Sequence, residues 1–505
     1  MKGAPKAKSC SVWAETAEQN KCSQNTATAA EAPDRPNAQS HPYRHMPTAA
    51  QSPQSLPSFP SFEGELKTDV LVIGGGLAGL LCTYRLMKAG VNCVLVEAER
   101  LCGGVTENTT AKLTYQHGLI YDKLINRFGI EAAKLYLEIN KCALEYYRHL
   151  CTDPDFAPDA CDFEERPNFI YSLNGTAKLE KELRALERMG CSASFQTQLP
   201  LPFPVAGAVR FDGQAQFNPL KFANNIAREI KKDSRVRIYE YTPVRELVGT
   251  TAMTDRGQII AEKLIVTTHF PFINKHGSYF LKLYQSRSYV AAYENAADLH
   301  GMYLDESGHG LSFRNYKNLL LIGGASARTG KKSDGWRGIE AFAKEHYPHA
   351  SEQYRWATQD CMSLDGMPYI GRYSANTPNM FVATGFNKWG MTSSMAAAML
   401  LSYLITGKPM NADLSAEKLR SAADLFSPSR SILRPQLVVN GFEAAANLLI
   451  PTVRRCPHLG CALKWNPNER TWDCPCHGSR FDRSGHLLNN PSTGDIPPPK
   501  PKKLR

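Results

Sequence analysis

"TDVLVIGGGLAGLLCTYRLMKAGVNCVLVEAE" (Thr68–Glu99) decides how this 505-residue chain begins to fold. Val70–Ile73 is a short apolar run suited to a buried strand, and Gly74-Gly75-Gly76-Leu77-Ala78-Gly79 fits G-x-G-x-x-G. Leu77, Leu80, Leu81, Tyr84 and Met87 then recur at helical spacing until Gly90. A second apolar run, Cys93–Val96, ends in Glu97, 21 residues after Gly76. Gly74 permits the tight turn, Gly76 lets the backbone approach a pyrophosphate, and Gly79 lets helix pack on strand. The helix N-terminus then faces the phosphates and Glu97 can accept hydrogen bonds from a ribose. The spacing therefore predicts a dinucleotide site, without separating FAD from NAD.

Near the other end, "CPHLGCALKWNPNERTWDCPCHGSRF" (Cys456–Phe481) holds four of the 14 cysteines and two of the 13 histidines. Three chemistries compete for it. Disulfide scaffolds belong mainly to small secreted domains. Zinc could take Cys456, His458, Cys474 and His477, but its usual spacing groups cysteines with cysteines and histidines with histidines. Here each short segment supplies one of each: C-x-H, fifteen residues, then C-x-x-H. That mixed pairing suits a [2Fe–2S] centre with two thiolates on one iron and two imidazoles on the other.

Composition bounds the rest. A hydrophobic content of 43% permits a sizeable core. No apolar run reaches membrane-spanning length; "MAAAMLLSYLIT" (Met395–Thr406) reads as a buried core helix. Residues 1–62, rich in Pro, Ser, Gln and Ala, are expected to be a linker, and their basic start lacks the apolar region of a secretory signal. The other ten cysteines are scattered singly, as in reduced thiols, so the cytoplasm is the expected location. From Thr452 onward ten basic residues face four acidic ones; this surplus could steer an acidic redox partner, or be a solvated tail over 498–505. No motif points to nucleic acid.

From Gly74 to about Leu401 the chain resembles the FAD-dependent oxidoreductases of the D-amino-acid oxidase and glycine oxidase superfamily. The resemblance is carried by "GGVTENTTAKLTYQHGLIYDKL", "FDGQAQFNPLKFANNIAREI", "VRIYEYTPVREL" with "KLIVTTHFPF", and "NMFVATGFNKWGMTSSMAAAMLL". It implies an α/β fold: a Rossmann-like FAD-binding domain over 63–425 with an inserted α+β substrate domain, approximately 158–205 and 272–356. It implies flavin contacts at Gly74, Gly76, Gly79, Glu97, Thr106, Val244, Gly385, Gly390, Met391 and Thr392. Asn218 should cap a helix with Pro219 at its first position. His117 (base or flavin-orienting group), Gln116 and Lys388 are the catalytic candidates, with Gln214 nearby. Arg287 and Arg314 are candidate clamps for a substrate carboxylate. Where the pattern leads one to expect a His-Lys pair, "LLLIGGASARTG" carries Ala327-Arg328. "SVWAETA" (Ser11–Ala17) resembles residues that usually lie closer to the glycine turn, which makes much of 18–56 an insertion.

The C-terminal stretch resembles the Rieske family down to "HLGC" and "CPCHGS", implying a small all-β [2Fe–2S] domain over 432–497. Carried over, Cys456 and Cys474 hold one iron, His458 and His477 the other, and Cys461 and Cys476 form a disulfide. Only about 20 residues precede Cys456 where a full Rieske base places several strands, so the cluster is expected to lean on the flavin domain. The reading that follows is a dehydrogenase: hydride from a small amine or hydroxy compound to FAD, then electrons to the cluster and an acceptor. The alternatives are an O2-using oxidase with a peripheral cluster, or a redox sensor or electron-transfer module without a small-molecule substrate. One position sets an expectation by itself. High-potential Rieske proteins carry a tyrosine, donating to a ligand sulfur, where this chain has Phe481. Hydrogen bonds to sulfur stabilise the more negative reduced cluster. Redox titration of Phe481→Tyr should therefore show a raised potential; an unchanged or lower one would contradict the assignment.

Overall fold

A computed structural model describes residues 10–13, 56–157, 160–273, 275–410, 414–431, 433–452 and 454–497. Residues 14–55 of the expected linker and the tail 498–505 lie outside the described residues. Trp13 is fully buried: its Nε1 donates to Thr109 O at 2.8 Å and its ring meets Tyr316 edge-on at 4.4 Å.

β1 (Gly64–Ile73) enters the glycine turn, α1 (Leu77–Lys88) leaves it, and β2 (Cys93–Val96) returns parallel to β1 with Val96 opposite Ile73. The last four residues of β1 and all of β2 are buried, as expected of parallel strands covered on both faces. α2 (Pro219–Lys231) starts where its sequence predicts, with the Asn218 side chain accepting from the amides of Leu220 and Lys221. β3 (Val236–Tyr239) lies parallel to β2, and β4 (Gly257–Val266) parallel to β1.

A second, mainly antiparallel sheet of eight strands carries β5 (Leu283–Glu294) between β6 (Leu319–Arg328) and β7 (Ser351–Ser363). Alternation along β5 and β7 divides the polar residues between two faces. Arg287 lies opposite Gln359 on one face, while Ser288 lies opposite Thr358 and Ser286 opposite Asp360 on the other. The chain then rejoins the first sheet, where β8 (Met380–Thr384) pairs parallel with β4. α3 (Gly390–Thr406) follows, buried from Met391 to Tyr403, and so hydrophobic all round.

α4 (Pro435–Leu449) stands where a full Rieske base would place strands. After it, β9 (Lys464–Asn466), β10 (Thr471–Asp473), β11 (Arg480–Phe481) and β12 (Leu487–Asn489) form a four-stranded antiparallel sheet. Its small core is Cys456, Cys461, Leu463, Cys474, Cys476 and Phe481. So little apolar surface calls for outside support. The support is ionic: Glu469, in the β9–β10 turn, accepts from Arg287 of β5 at 3.0 and 2.5 Å and from Arg480 of β11 at 2.8 Å. Arg480 also reaches Asp473 at 3.1 Å.

Burial pushes the Glu469 carboxyl up, but Arg287 and Arg480 outweigh it and hold it at about 2. Because the folded value lies below an unfolded value of about 4.3, this carboxylate stabilises the fold above that pH, and the contribution disappears as pH falls toward about 2. Glu469→Ala, leaving two buried guanidiniums without their shared anion, should cost about 3–5 kcal/mol in chemical denaturation near neutral pH. A loss below about 1 kcal/mol would show that the network is not buried in solution.

Candidate flavin and iron–sulfur centres

The glycine turn is shaped to admit a phosphate group. A Cβ on Gly79 would fall 1.9 Å from Gly74 O, and one on Gly74 would fall 2.7 Å from Thr267 O. Beside Gly76 the first obstacle is Thr106 Oγ1 at 3.6 Å, so the backbone there is open to an approaching group. Thr106 Oγ1 also accepts from Leu77 N at 3.1 Å, tying the loop after β2 to the first turn of α1. Glu97 accepts from Gly75 N at 2.6 Å and Glu99 N at 2.9 Å at the end of β2, where a ribose would lie. Val244 is buried against the same sheet with Val94 and Val96. The residues present fit a dinucleotide.

The approach to α3 is strained. Gly385, Asn387 and Lys388 have φ of 70°, 51° and 71°. Left-handed backbone at two successive non-glycine residues needs fixing by its surroundings. Asn387 supplies it, accepting from Ser363 N at 2.8 Å and donating to Gly385 O at 2.6 Å. The turn ends at Gly390, the first residue of α3. Tyr147 OH donates to Met391 O, and Thr392 Oγ1 donates to Thr114 O at 2.7 Å. His117 stacks on Trp389 at 5.0 Å; its nitrogens lie 2.6 Å from Tyr136 OH and 2.8 Å from Thr114 O. Burial lowers the His117 pKa to about 3, so the ring stays neutral. Gln116 bridges Val209 O and Asn168 Nδ2, and Gln214 Oε1 accepts from Thr114 Oγ1 and Tyr115 N.

Lys388 Nζ donates to Ser326 Oγ at 2.9 Å and lies 3.3 Å from Gly308 O; Ser326 Oγ is 2.8 Å from Ser288 Oγ. Asp360 shares the sheet face of Ser288. Burial raises its pKa to about 6 against the pull of Lys388 and Arg287, while burial lowers that of Lys388 against the pull of Asp360. Lys388 is thus joined by a hydroxyl pair and a carboxyl that no sequence motif announces. Both arginines considered as substrate clamps are committed within the fold. Arg287 binds Glu469, and Arg314 donates to Thr110 O and Ala111 O at 2.7 and 2.8 Å.

The two Cys/His segments fold as matched loops. Gly460 N donates to Cys456 O and Gly478 N to Cys474 O, both at 2.9 Å, with both glycines left-handed. Cys456 N reaches Cys461 O and Cys474 N reaches Ser479 O, again at 2.9 Å. Cys461 and Cys476 join the loops as a disulfide, and their sulfurs lie with that of Cys474 within 4.8 Å of one another. The Cys456 and Cys474 thiols share a hydrogen bond that lowers the first pKa and raises the second. The His458 and His477 rings lie 4.9 Å apart at 88°. Burial depresses their pKa values to about 4 and 3, keeping the imidazoles neutral as ligands must be. His477 Nε2 meets Phe280 O at 3.1 Å while its Nδ1 is buried without a hydrogen-bond partner among the described residues. Two thiols, two neutral imidazoles and an orphaned Nδ1 fit a [2Fe–2S] cluster.

The loop 474–478 is clamped on the second sheet. Arg328 donates to Pro475 O at 2.8 Å, Cys476 O at 3.0 Å and Asn440 Oδ1 at 2.8 Å. Gln285 donates to His477 O and Gln359 to Gly478 O, both at 2.9 Å. A Cβ on Gly478 would lie 2.6 Å from Gln285 Cβ, so glycine is needed for this approach. One short segment reaches both centres: Thr267 Oγ1 donates to Gly74 O at 2.9 Å, and Phe270 packs on His458 and His477 at 6.4 and 5.9 Å. The short stretch before Cys456 predicts this docking, and Arg328, where the pattern leads one to expect a His-Lys pair, supplies one of its contacts.

A Rossmann-type glycine turn beside a second, mainly antiparallel sheet, with a Cys/His pair of loops docked on that sheet, defines a flavin-dependent oxidoreductase carrying a Rieske centre. The family described as FAD dependent oxidoreductase matches residues 69–404, and the Rieske [2Fe-2S] domain matches 435–500. The chain belongs to this FAD dependent oxidoreductase family, and its cofactors are FAD and a [2Fe–2S] cluster. It is 33% identical over 493 residues to YhfW of Bacillus subtilis, described as a Rieske 2Fe-2S iron-sulfur protein, covering 86% of this chain and 94% of that one. It is 22% identical to γ-glutamylputrescine oxidoreductase of Escherichia coli, over 71% of this chain and 88% of the other. The fold is similar to that of glycine oxidase from Geobacillus kaustophilus, with a TM-score of 0.59 at 18% identity over 73% of this chain and all of that one.

The two centres should be separable by mutation. Gly79→Val should abolish FAD content, because its side chain would enter the space of Gly74 O. His477→Ala should lose iron while the flavin absorbance persists. Loss of both cofactors from either variant in metal and flavin assays would contradict separate sites.

Proposed function

We propose that the protein is a dehydrogenase of a small amine or hydroxy compound that delivers the electrons to its own cluster and onward to an acceptor. Bound FAD supplies two-electron hydride chemistry and the cluster one-electron transfer. The observation that carries the reading is the seating of His477. A peripheral cluster would have no use for an imidazole buried against Phe280 O, beside a segment whose other end bonds the glycine turn. The proposed ligands are Cys456 and Cys474 on one iron and His458 and His477 on the other.

The proposed flavin contacts are Gly74, Gly76, Gly79, Glu97, Thr106 and Val244 on the dinucleotide side, with Gly385, Gly390, Met391 and Thr392 at the ring. His117, neutral with both nitrogens engaged, fits a flavin-orienting role better than that of a base. Gln116 holds the wall beside it. Lys388 and Ser326 would orient the substrate's polar group, and Asp360 would take its proton. Relatives named for γ-glutamylputrescine and glycine favour an amine over a hydroxyl. Scattered thiols favour the cytoplasm, and the basic surplus of the last tenth of the chain suits an acidic acceptor.

Anaerobic stopped-flow against a library of amines and hydroxy acids tests the reading. Flavin bleaching followed by the EPR signal of a reduced Rieske cluster is expected, and oxygen consumption undiminished in His477→Ala would overturn it. If Asp360 is the base, kcat/KM should rise as pH passes about 6, and Asp360→Asn should lose that limb together with about 10²–10⁴-fold in rate.

A further inference from the structure

α4 is built inside out. Its buried positions are Asn440 and Asn447, at 3% and 4% exposure. Asn440 accepts from Arg328 and donates to Leu281 O, while Asn447 donates to Glu443 O and its carbonyl accepts from Ala462 N. Its outward positions are apolar: Val438 at 73%, Phe442 at 72% and Leu449 at 83%, with Val439 between them and Leu433 just ahead of the helix. Helices on a water-facing surface show the reverse order, apolar stripe inward and polar face outward. It is this inversion, a polar inner face under an exposed apolar stripe, that sets the helix apart.

Charge and size identify the occupant. Arg434 precedes the helix, and Arg454 and Arg455 follow it. None of the three is ion-paired among the described residues, although Arg454 lies over the Trp472 ring at 4.5 Å and Arg455 donates to three backbone carbonyls, and the one acid of the helix, Glu443, is neutralised by Lys331 at 2.7 Å. The stripe itself has no polar group for specific pairing and none of the Trp, Tyr or Arg anchors typical of protein interfaces. Fifteen residues give a face about 22 Å long and roughly 10 Å wide. That is on the order of 200 Å², far below the ~800 Å² per partner of a stable protein dimer. No helix among the described residues is long and apolar enough to cross a membrane, so the helix would lie on a bilayer rather than span it.

We propose that α4 seats the protein on the surface of an anionic phospholipid bilayer, its apolar stripe in the headgroup–acyl boundary and its flanking arginines at lipid phosphates. The anchor is coupled to the cluster: Arg455 donates to Leu448 O at the helix end and to Gly460 O in the His458 loop. A Cβ on Gly460 would lie 3.8 Å from Leu448, and Leu459 beside His458 is itself exposed.

The test is vesicle flotation of the holoenzyme with phosphatidylglycerol-containing and with pure phosphatidylcholine vesicles. Binding to the anionic vesicles should exceed that to phosphatidylcholine by at least about tenfold and weaken with salt. The triple variant Val438→Ser, Phe442→Ser, Leu449→Ser, altered only at exposed positions and checked for unchanged flavin and iron content, should stay with the unbound protein. Absence of flotation by the wild type, equal flotation with both lipids, or undiminished flotation of the triple variant would overturn the proposal. So would light scattering that shows a dimer which the triple variant reduces to a monomer, since a second copy would then be the occupant.

Discussion

Glu469 sits between two guanidiniums, one from the second sheet and one from its own small domain. Desolvating three charges is expensive, and an apolar triad of the same shape could match it in stability. What the ions add is direction. Arg287 and Arg480 approach one carboxylate from two elements, so the β9–β10 turn can sit on β5 in only one register. The Rieske region has a core of six residues and a single helix in place of a full base. It acquires a fixed position from this network, and the loop bearing His477 inherits that position.

The consequence is a division of labour between the faces of one sheet. On one side of β5 and β7, Gln285, Arg287 and Gln359 hold the cluster loops; on the other, Ser288 and Asp360 join Ser326 and Lys388 in a polar site. Strand alternation alone sorts them. The cluster loops and the polar site thus use opposite faces of the same paired strands. His458 is half-buried beside the exposed Leu459.

Much of this was legible in the sequence. The strand–glycine turn–helix–strand unit and the Asn218–Pro219 helix start depend on local spacing, and they fold as the spacing predicts. The paired Cys/His loops were equally local. The short stretch before Cys456 predicts that the cluster leans on the flavin domain, but not the contacts that dock it, because Glu469 and Arg287 are 182 positions apart. Arg328 was visible only as a departure from an expected His-Lys pair, with nothing to say that it would grip Pro475 and Cys476. Asp360 and Ser326 belong to no motif, because a strand places the residues of a polar site and those of the core at the same spacing. The inverted face of α4 was hidden for a related reason: periodicity reports an apolar stripe but not the direction in which it points.

The central claim is that the cluster loops and the second sheet form one cooperative body. Hydrogen–deuterium exchange of the holoenzyme tests it most directly. Amides of 474–482 should exchange as slowly as those of β5 and β7 and lose protection with them on heating. Rapid exchange of 474–482, or melting of the Rieske region while β5 and β7 remain protected, would contradict it.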